Sequence, residues 1–279
     1  MNEKIIKFWD RFPSEEEAEA AWQANAQSLR QQHPLRELKS LPDLPGITRK
    51  TRKNLRWKAL KYIAQHDASG ITRRAFFAKP IRHPINLLRS LLRKKPYARD
   101  GDFFFYGFKN EAEFRARLQA NPELILLVGF SYCHKPFECP SGRFSDQCIH
   151  DPGHPVCGQC FIGKCVHSLP AERTVPVFIP TVHYISESML ATVARNPGKE
   201  ILFVVTACEL TLEMFSDGGN MAGFKGIGVR LDGVICNTMR AFEASEVGIK
   251  PGLTVVVDET QKRMMKLFSV FRHLSAMAK

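Results

Sequence analysis

Eight cysteines are the residues in this chain whose type and spacing could do chemistry, and six of them fall within residues 133 to 165. The run reads Cys133-x5-Cys139-Pro140, then x7 to Cys148 and x8 to Cys157, and closes on Cys157-x2-Cys160-x4-Cys165. The opening segment MNEKIIKFWDRFPSEEE turns acidic without a long apolar stretch, and no run of eighteen apolar residues follows. The expected setting is therefore cytoplasmic. In a reducing compartment such a cluster reads as a metal or redox site rather than a disulfide framework, and 279 residues are enough to bury a core without staples. Eight thiolates match two four-cysteine centres. Cys157-x2-Cys160 and the Cys139-Pro140 pair echo the ferredoxin run, which favours one or two 4Fe-4S clusters. Zinc is the alternative, although only one C-x2-C knuckle is present. Free or redox-active thiols come third.

The remaining two, Cys208 and Cys236, follow the apolar stretches ILFVVTA and GVI, so each sits just past the carboxyl end of an expected strand. Glu123 to Ser131, Val175 to Ile179, Ile201 to Thr206, Val234 to Ile235 and Leu253 to Val257 have the near-continuous apolar character of buried strands. Helical stretches near 110–120, 184–195 and 260–276 alternate with them. The pattern predicts an α/β fold with a mostly parallel sheet, helices on both faces and ligands beyond the carboxyl ends of the strands. The cysteine-rich segment would be a long loop leaving the first of those ends, held by a metal. Cys133, Cys139, Cys148, Cys157, Cys160, Cys165, Cys208 and Cys236 could then meet on one rim as metal ligands. His134, His150, His154, His167 and His183 lie in or near the segment and could ligate or tune a cluster. Six glycines between 218 and 233 suggest a mobile loop over that rim, with Asn237 or Thr238 capping the helix that follows.

Three regions are expected. Residues 1–46 hold one helix, started by a Ser14–Glu17 capping box, and a linker broken at Pro42 and Pro45. Residues 47–100 form a basic helical arm: between 47 and 99 there are 16 Lys and Arg against one acid, Asp67, while the whole chain is only +12. Its second helix, near 83–94, carries Ile81, Ile85, Leu88 and Leu92 in one stripe. The stripe could pack on the main domain, rest on anionic lipid or face a redox partner protein, and nucleic acid is a weaker fit because no stacking platform accompanies the charge. Residues 101–279 form the α/β domain.

Cys157-Gly-Gln-Cys160-Phe-Ile-Gly-Lys-Cys165, Thr206-Ala-Cys208-Glu-Leu210 and Gly228-Val-Arg-Leu-Asp-Gly-Val-Ile-Cys236-Asn-Thr238 occur in the order seen in a bacterial and archaeal family called domain of unknown function 116. Residues 123 to 258 resemble it. The resemblance implies an iron-sulfur-like site on an α/β domain and implies no reaction. The leading expectation is thus an iron-sulfur protein, cytoplasmic or peripheral on the inner face of the membrane, that transfers electrons or serves a redox enzyme. A zinc-stapled module docking through its basic arm is the alternative. An enzyme using Cys208 as nucleophile, with Glu209 and a loop histidine beside it, is the third.

Overall fold

The computed structural model describes residues 7–36 and 46–277. Ser14 starts the first α-helix of the described residues as the sequence predicts, its hydroxyl accepting from the Glu17 amide, and α1 runs Glu15–Gln32. Pro42 and Pro45 lie outside the described residues. The arm contains α2 (Arg49–Arg52), α3 (Leu55–Gln65), α4 (Ile71–Ala78) and α5 (Arg82–Leu92). Then come β1 (Ala98–Asp100), β2 (Phe103–Tyr106), α6 (Glu111–Ala120), β3 (Ile125–Ser131), α7 (Phe161–Ser168), β4 (Thr174–Ile179), α8 (Val182–Arg195) and β5 (Ile201–Cys208). The chain closes with α9 (Glu209–Ala222), β6 (Lys225–Gly233), α10 (Met239–Glu246), β7 (Thr254–Val255) and α11 (Asp258–Met277).

The sheet has the order β1-β2-β6-β5-β3-β4, with β7 pairing β6. The four neighbouring strands β4, β3, β5 and β6 are parallel, while β1, β2 and β7 are antiparallel additions. Alternation along the strands sends side chains to two separate cores. Phe103, Leu126, Val128, Leu202 and Val204 meet α6, α7 and α11 on one face. Phe104, Leu127, Phe203 and Val205 meet Ile185 and Met189 of α8 and Leu212 and Phe215 of α9 on the other. An α/β sheet covered by helices on both faces is the result.

Two expectations change here. The glycine-rich stretch is not a loop: Gly218 and Gly219 lie inside α9, and Gly226 and Gly228 lie inside β6. A Cβ on Gly226 would come within 2.2 Å of the Phe203 carbonyl, and one on Gly228 within 2.6 Å of Leu212, so these glycines let a strand and a helix approach. Gly223, at φ +78°, ends α9 in the left-handed conformation, with the Phe224 amide bonded back to the Gly219 carbonyl. Val234 and Ile235 follow β6 rather than forming a strand, which pushes Cys236 beyond the sheet. Thr238 caps α10, as one of the two predicted residues.

Candidate metal and thiol centres

Because β3, β5 and β6 are parallel, their carboxyl ends share one edge, and the chain leaves that edge at cysteines. Cys133 follows β3 by two residues, Cys208 ends β5 opposite Leu231, and Cys236 follows β6. All three line one small pocket with Tyr132, Thr211 and Glu246. Cys236 Sγ lies 3.3 Å from the buried Lys250 Nζ and 3.4 Å from Ser245 Oγ, and Cys208 Sγ lies 3.2 Å from Thr211 Oγ1. The nearness of the two sulfurs raises the Cys208 thiol and lowers that of Cys236, and Lys250 adds to the lowering. Burial would lower the Lys250 ammonium, but the surrounding sulfurs hold it above its ordinary value.

A second group forms within the loop. Cys139, Cys148, Cys157 and Cys160 line one cavity, walled by Pro136, Pro140, Val156 and Ile162 and edged by His150. Burial pushes the Cys157 thiol up to about 11 and the Cys160 thiol up to about 12. Backbone amides work the other way: those of Gly163 and Ile162 point at Cys160, that of His150 at Cys148 and that of Asp151 at Cys157, each favouring a thiolate. Among the described residues, no group of three or more His, Cys, Asp or Glu side chains is arranged to hold a single metal ion.

The loop is held by protein groups that sequence reasoning missed. The buried Lys135 ammonium donates to the carbonyls of Gln147 at 2.7 Å, Ser145 at 2.8 Å and Gly142 at 3.3 Å, and faces the sulfurs of Cys139, Cys148 and Cys160. Arg143 donates to the carbonyls of Gly252 and Lys250, pinning the loop to the segment beside β7. Helix α1 covers the Cys157–Cys160 turn: a Cβ on Gly158 would meet Leu29 at 2.5 Å, Asn25 donates to the Pro152 carbonyl, and Gln159 donates to that of His33. A lysine among cysteines is the one signal the sequence offered for this clamp.

Seven of the eight sulfurs therefore form two groups rather than one rim, and Cys165, within α7, joins neither, since it lies with Phe161, Ile162 and Val166 in the apolar core. The histidines are mostly committed elsewhere. His167 accepts from the Phe8 amide through Nδ1 and bonds the His150 carbonyl through Nε2, His183 bonds the Ile63 carbonyl, and His154 accepts from the Val156 amide. His134 differs. It is buried against the Phe161 ring, its Nδ1 has no hydrogen-bond partner, and burial lowers it to about 4. The carboxylate of Glu209 turns away from Cys208 to Arg99, at 3.0 Å, and Arg52, at 3.6 Å. A Cys208–Glu209–histidine catalytic trio is thus not assembled.

No family model matches the chain, and no curated protein or solved structure is significantly similar to it. Function must be argued from these two centres.

Glu246, on the wall of the three-cysteine pocket, gives a pH test of the fold. Its two oxygens accept from the Val182 amide at 2.9 and 3.2 Å. Burial lifts its carboxyl to about 8, and the amide bond opposes that. Once unfolded, the group ionises near its ordinary 4.5. A raised folded value means stability that is complete below the unfolded value and is lost as pH rises through the folded one. Urea midpoints should therefore fall between about pH 5 and pH 8, and Glu246→Gln should flatten that slope. An unchanged slope in the variant would assign the dependence to another group.

Proposed function

We propose that the protein is an iron-sulfur protein in which Cys139, Cys148, Cys157 and Cys160 hold one 4Fe-4S cluster that transfers electrons. The observation that carries this reading is four cysteine side chains around one cavity, with backbone amides aimed at three of them. Such a cluster takes one thiolate on each iron, and amide bonds to its sulfurs tune its potential. The residues present fit that group. Lys135 supplies a compensating positive charge beside three of the thiolates. The partnerless Nδ1 of His134, packed on the residue after Cys160, is a buried nitrogen of the kind that sulfur can satisfy. When bound, the cluster would store and pass single electrons. The protein's part is to hold it behind α1 and the loop, away from bulk water.

The order of cysteines in residues 123–258, which resembles that of domain of unknown function 116, supports the same reading, and a reducing, cytoplasmic setting suits it. Protein purified without oxygen should be brown, with about four irons and about four sulfides per chain and a paramagnetic signal on reduction. A colourless protein with stoichiometric zinc would replace this reading by the zinc-stapled module.

A further inference from the structure

Helix α5 is docked the wrong way round for a soluble amphipathic helix. Its inward face is polar: Ser90 donates to Asp217 at 2.6 Å and accepts from Asn220 at 2.9 Å, Asn86 donates to the Met221 carbonyl, and His83 is buried. Its outward face is aliphatic. Ile81, Ile85, Leu88 and Leu92 are 75%, 42%, 59% and 78% exposed, and at 100° per residue they fall in one narrow stripe. Four large aliphatic side chains along three turns cost solubility, and a soluble surface does not keep such a patch without use. The orientation is fixed rather than accidental, because Arg56 ties the carbonyls of Ser90, Leu91 and Arg93 to Asp217 on α9.

Charge identifies the partner. Arg82 and Arg89 run along one side of the stripe, Arg93, Lys94 and Lys95 follow its end, and all five are exposed. They belong to the 47–99 segment, whose balance is sixteen positive charges to one negative. A convex row of leucine and isoleucine side chains with cations along one side and at its end matches the boundary between anionic headgroups and acyl chains, where aliphatics enter and Lys and Arg remain at the phosphates. A second copy of the chain fits poorly, since pairing would set two strongly basic segments face to face. Nucleic acid fits less well, since bases do not stack on aliphatic side chains and the segment's exposed aromatics, Trp57 and Phe77, lie on α3 and α4 rather than in the stripe. Among the described residues no helix is long and apolar enough to cross a membrane, so the contact is peripheral.

We propose that α5 docks the protein on an anionic membrane surface, with Ile81, Ile85, Leu88 and Leu92 inserted and Arg82, Arg89, Arg93, Lys94 and Lys95 on the headgroups. The proposal goes beyond the cluster reading and does not depend on it.

The test is sedimentation of the full chain with phosphatidylcholine vesicles, with and without about thirty per cent phosphatidylglycerol, at about 0.1 M salt. Binding should be at least about tenfold stronger on the anionic vesicles and should weaken as salt rises. Ile85→Ser with Leu88→Ser should lower it about tenfold. Because both positions are exposed, that variant should unfold at the wild-type midpoint, which separates lost docking from lost folding. Arg82→Gln with Arg89→Gln should lower it comparably and flatten the salt dependence. Failure to sediment with anionic vesicles would overturn the proposal, as would equal binding to neutral ones. If the serine variant binds as wild type while the glutamine variant does not, the surface is a purely ionic one for an acidic protein, and membrane insertion is wrong.

Discussion

Replacing Cys157 and Cys160 together with serine is expected to bleach the protein and to lower bound iron from about four atoms per chain to below about one, because a four-iron cluster needs all four thiolates. These two cysteines bracket a single tight turn, Cys157–Gln159, in which the Cys160 amide donates to the Cys157 carbonyl at 3.1 Å. Both sulfurs are therefore presented from one rigid unit. Serine keeps the turn and removes the soft, easily ionised donor. The fold should survive, since Lys135, Arg143 and α1 hold the loop through bonds that involve no sulfur. Circular dichroism close to that of the wild type would confirm that iron, and not structure, is lost. Two controls fix the ligand set. Cys165→Ala, in the apolar core, should keep its iron and lose only packing, about 1–2 kcal/mol for a small buried side chain. Cys208→Ser should also keep its iron. If instead the Cys208 variant loses iron and the Cys157/Cys160 variant retains it, the cluster belongs at the sheet edge with Cys133 and Cys236.

The sheet edge was readable because it follows from topology. A parallel sheet puts its carboxyl ends together, so cysteines placed directly after apolar runs had to approach one another, and Cys133, Cys208 and Cys236 do. The loop was not readable in the same way. Its cysteines were visible, but spacing could not divide them from the three at the edge, because the division depends on where the chain turns after Cys133. Nor could spacing reveal that Lys135 fills the centre of the loop and ties three carbonyls. A lysine in a cysteine-rich run looks like a surface charge until its burial is known.

Local signals fared unevenly for physical reasons. Ser14 and Thr238 act through the next three residues, so their caps were legible. The glycines of β6 misled, because close packing against Phe203 and Leu212 requires their lack of a side chain, and that packing joins separate elements. For α5 the four-residue period was correct, but a period does not say which way a stripe faces. The deciding residues were Ser90 and Asn86, whose partners on α9 lie more than a hundred residues later in the chain.

Arg56 is where that docking is decided, and Arg56→Met should be among the most destabilising single changes outside the hydrophobic cores. The guanidinium grips Asp217 in fork fashion, Nε to Oδ2 at 2.7 Å and Nη2 to Oδ1 at 2.5 Å, and spends its other hydrogens on the last carbonyls of α5. Asp217 is buried, so methionine would leave it with the Ser90 hydroxyl as its remaining partner. Breaking one side of a buried ion pair costs about 3–5 kcal/mol. Because Arg56 is itself partly exposed, the lower end applies, and about 3 kcal/mol corresponds to a fall of roughly 6–12 °C in the thermal midpoint. Arg56→Lys should fall between, since an ammonium cannot bridge both carboxylate oxygens and three carbonyls at once. Adding Asp217→Asn to Arg56→Met should recover part of the loss, because the orphaned charge then disappears. The shape of the transition carries the further information. One transition at lower temperature would make the arm and the sheet a single cooperative unit, with the aliphatic stripe held out by the same contacts that stabilise α9. An early arm transition that leaves the main midpoint in place would instead make the arm a separate body, and the fixed outward presentation of α5 would fail with it.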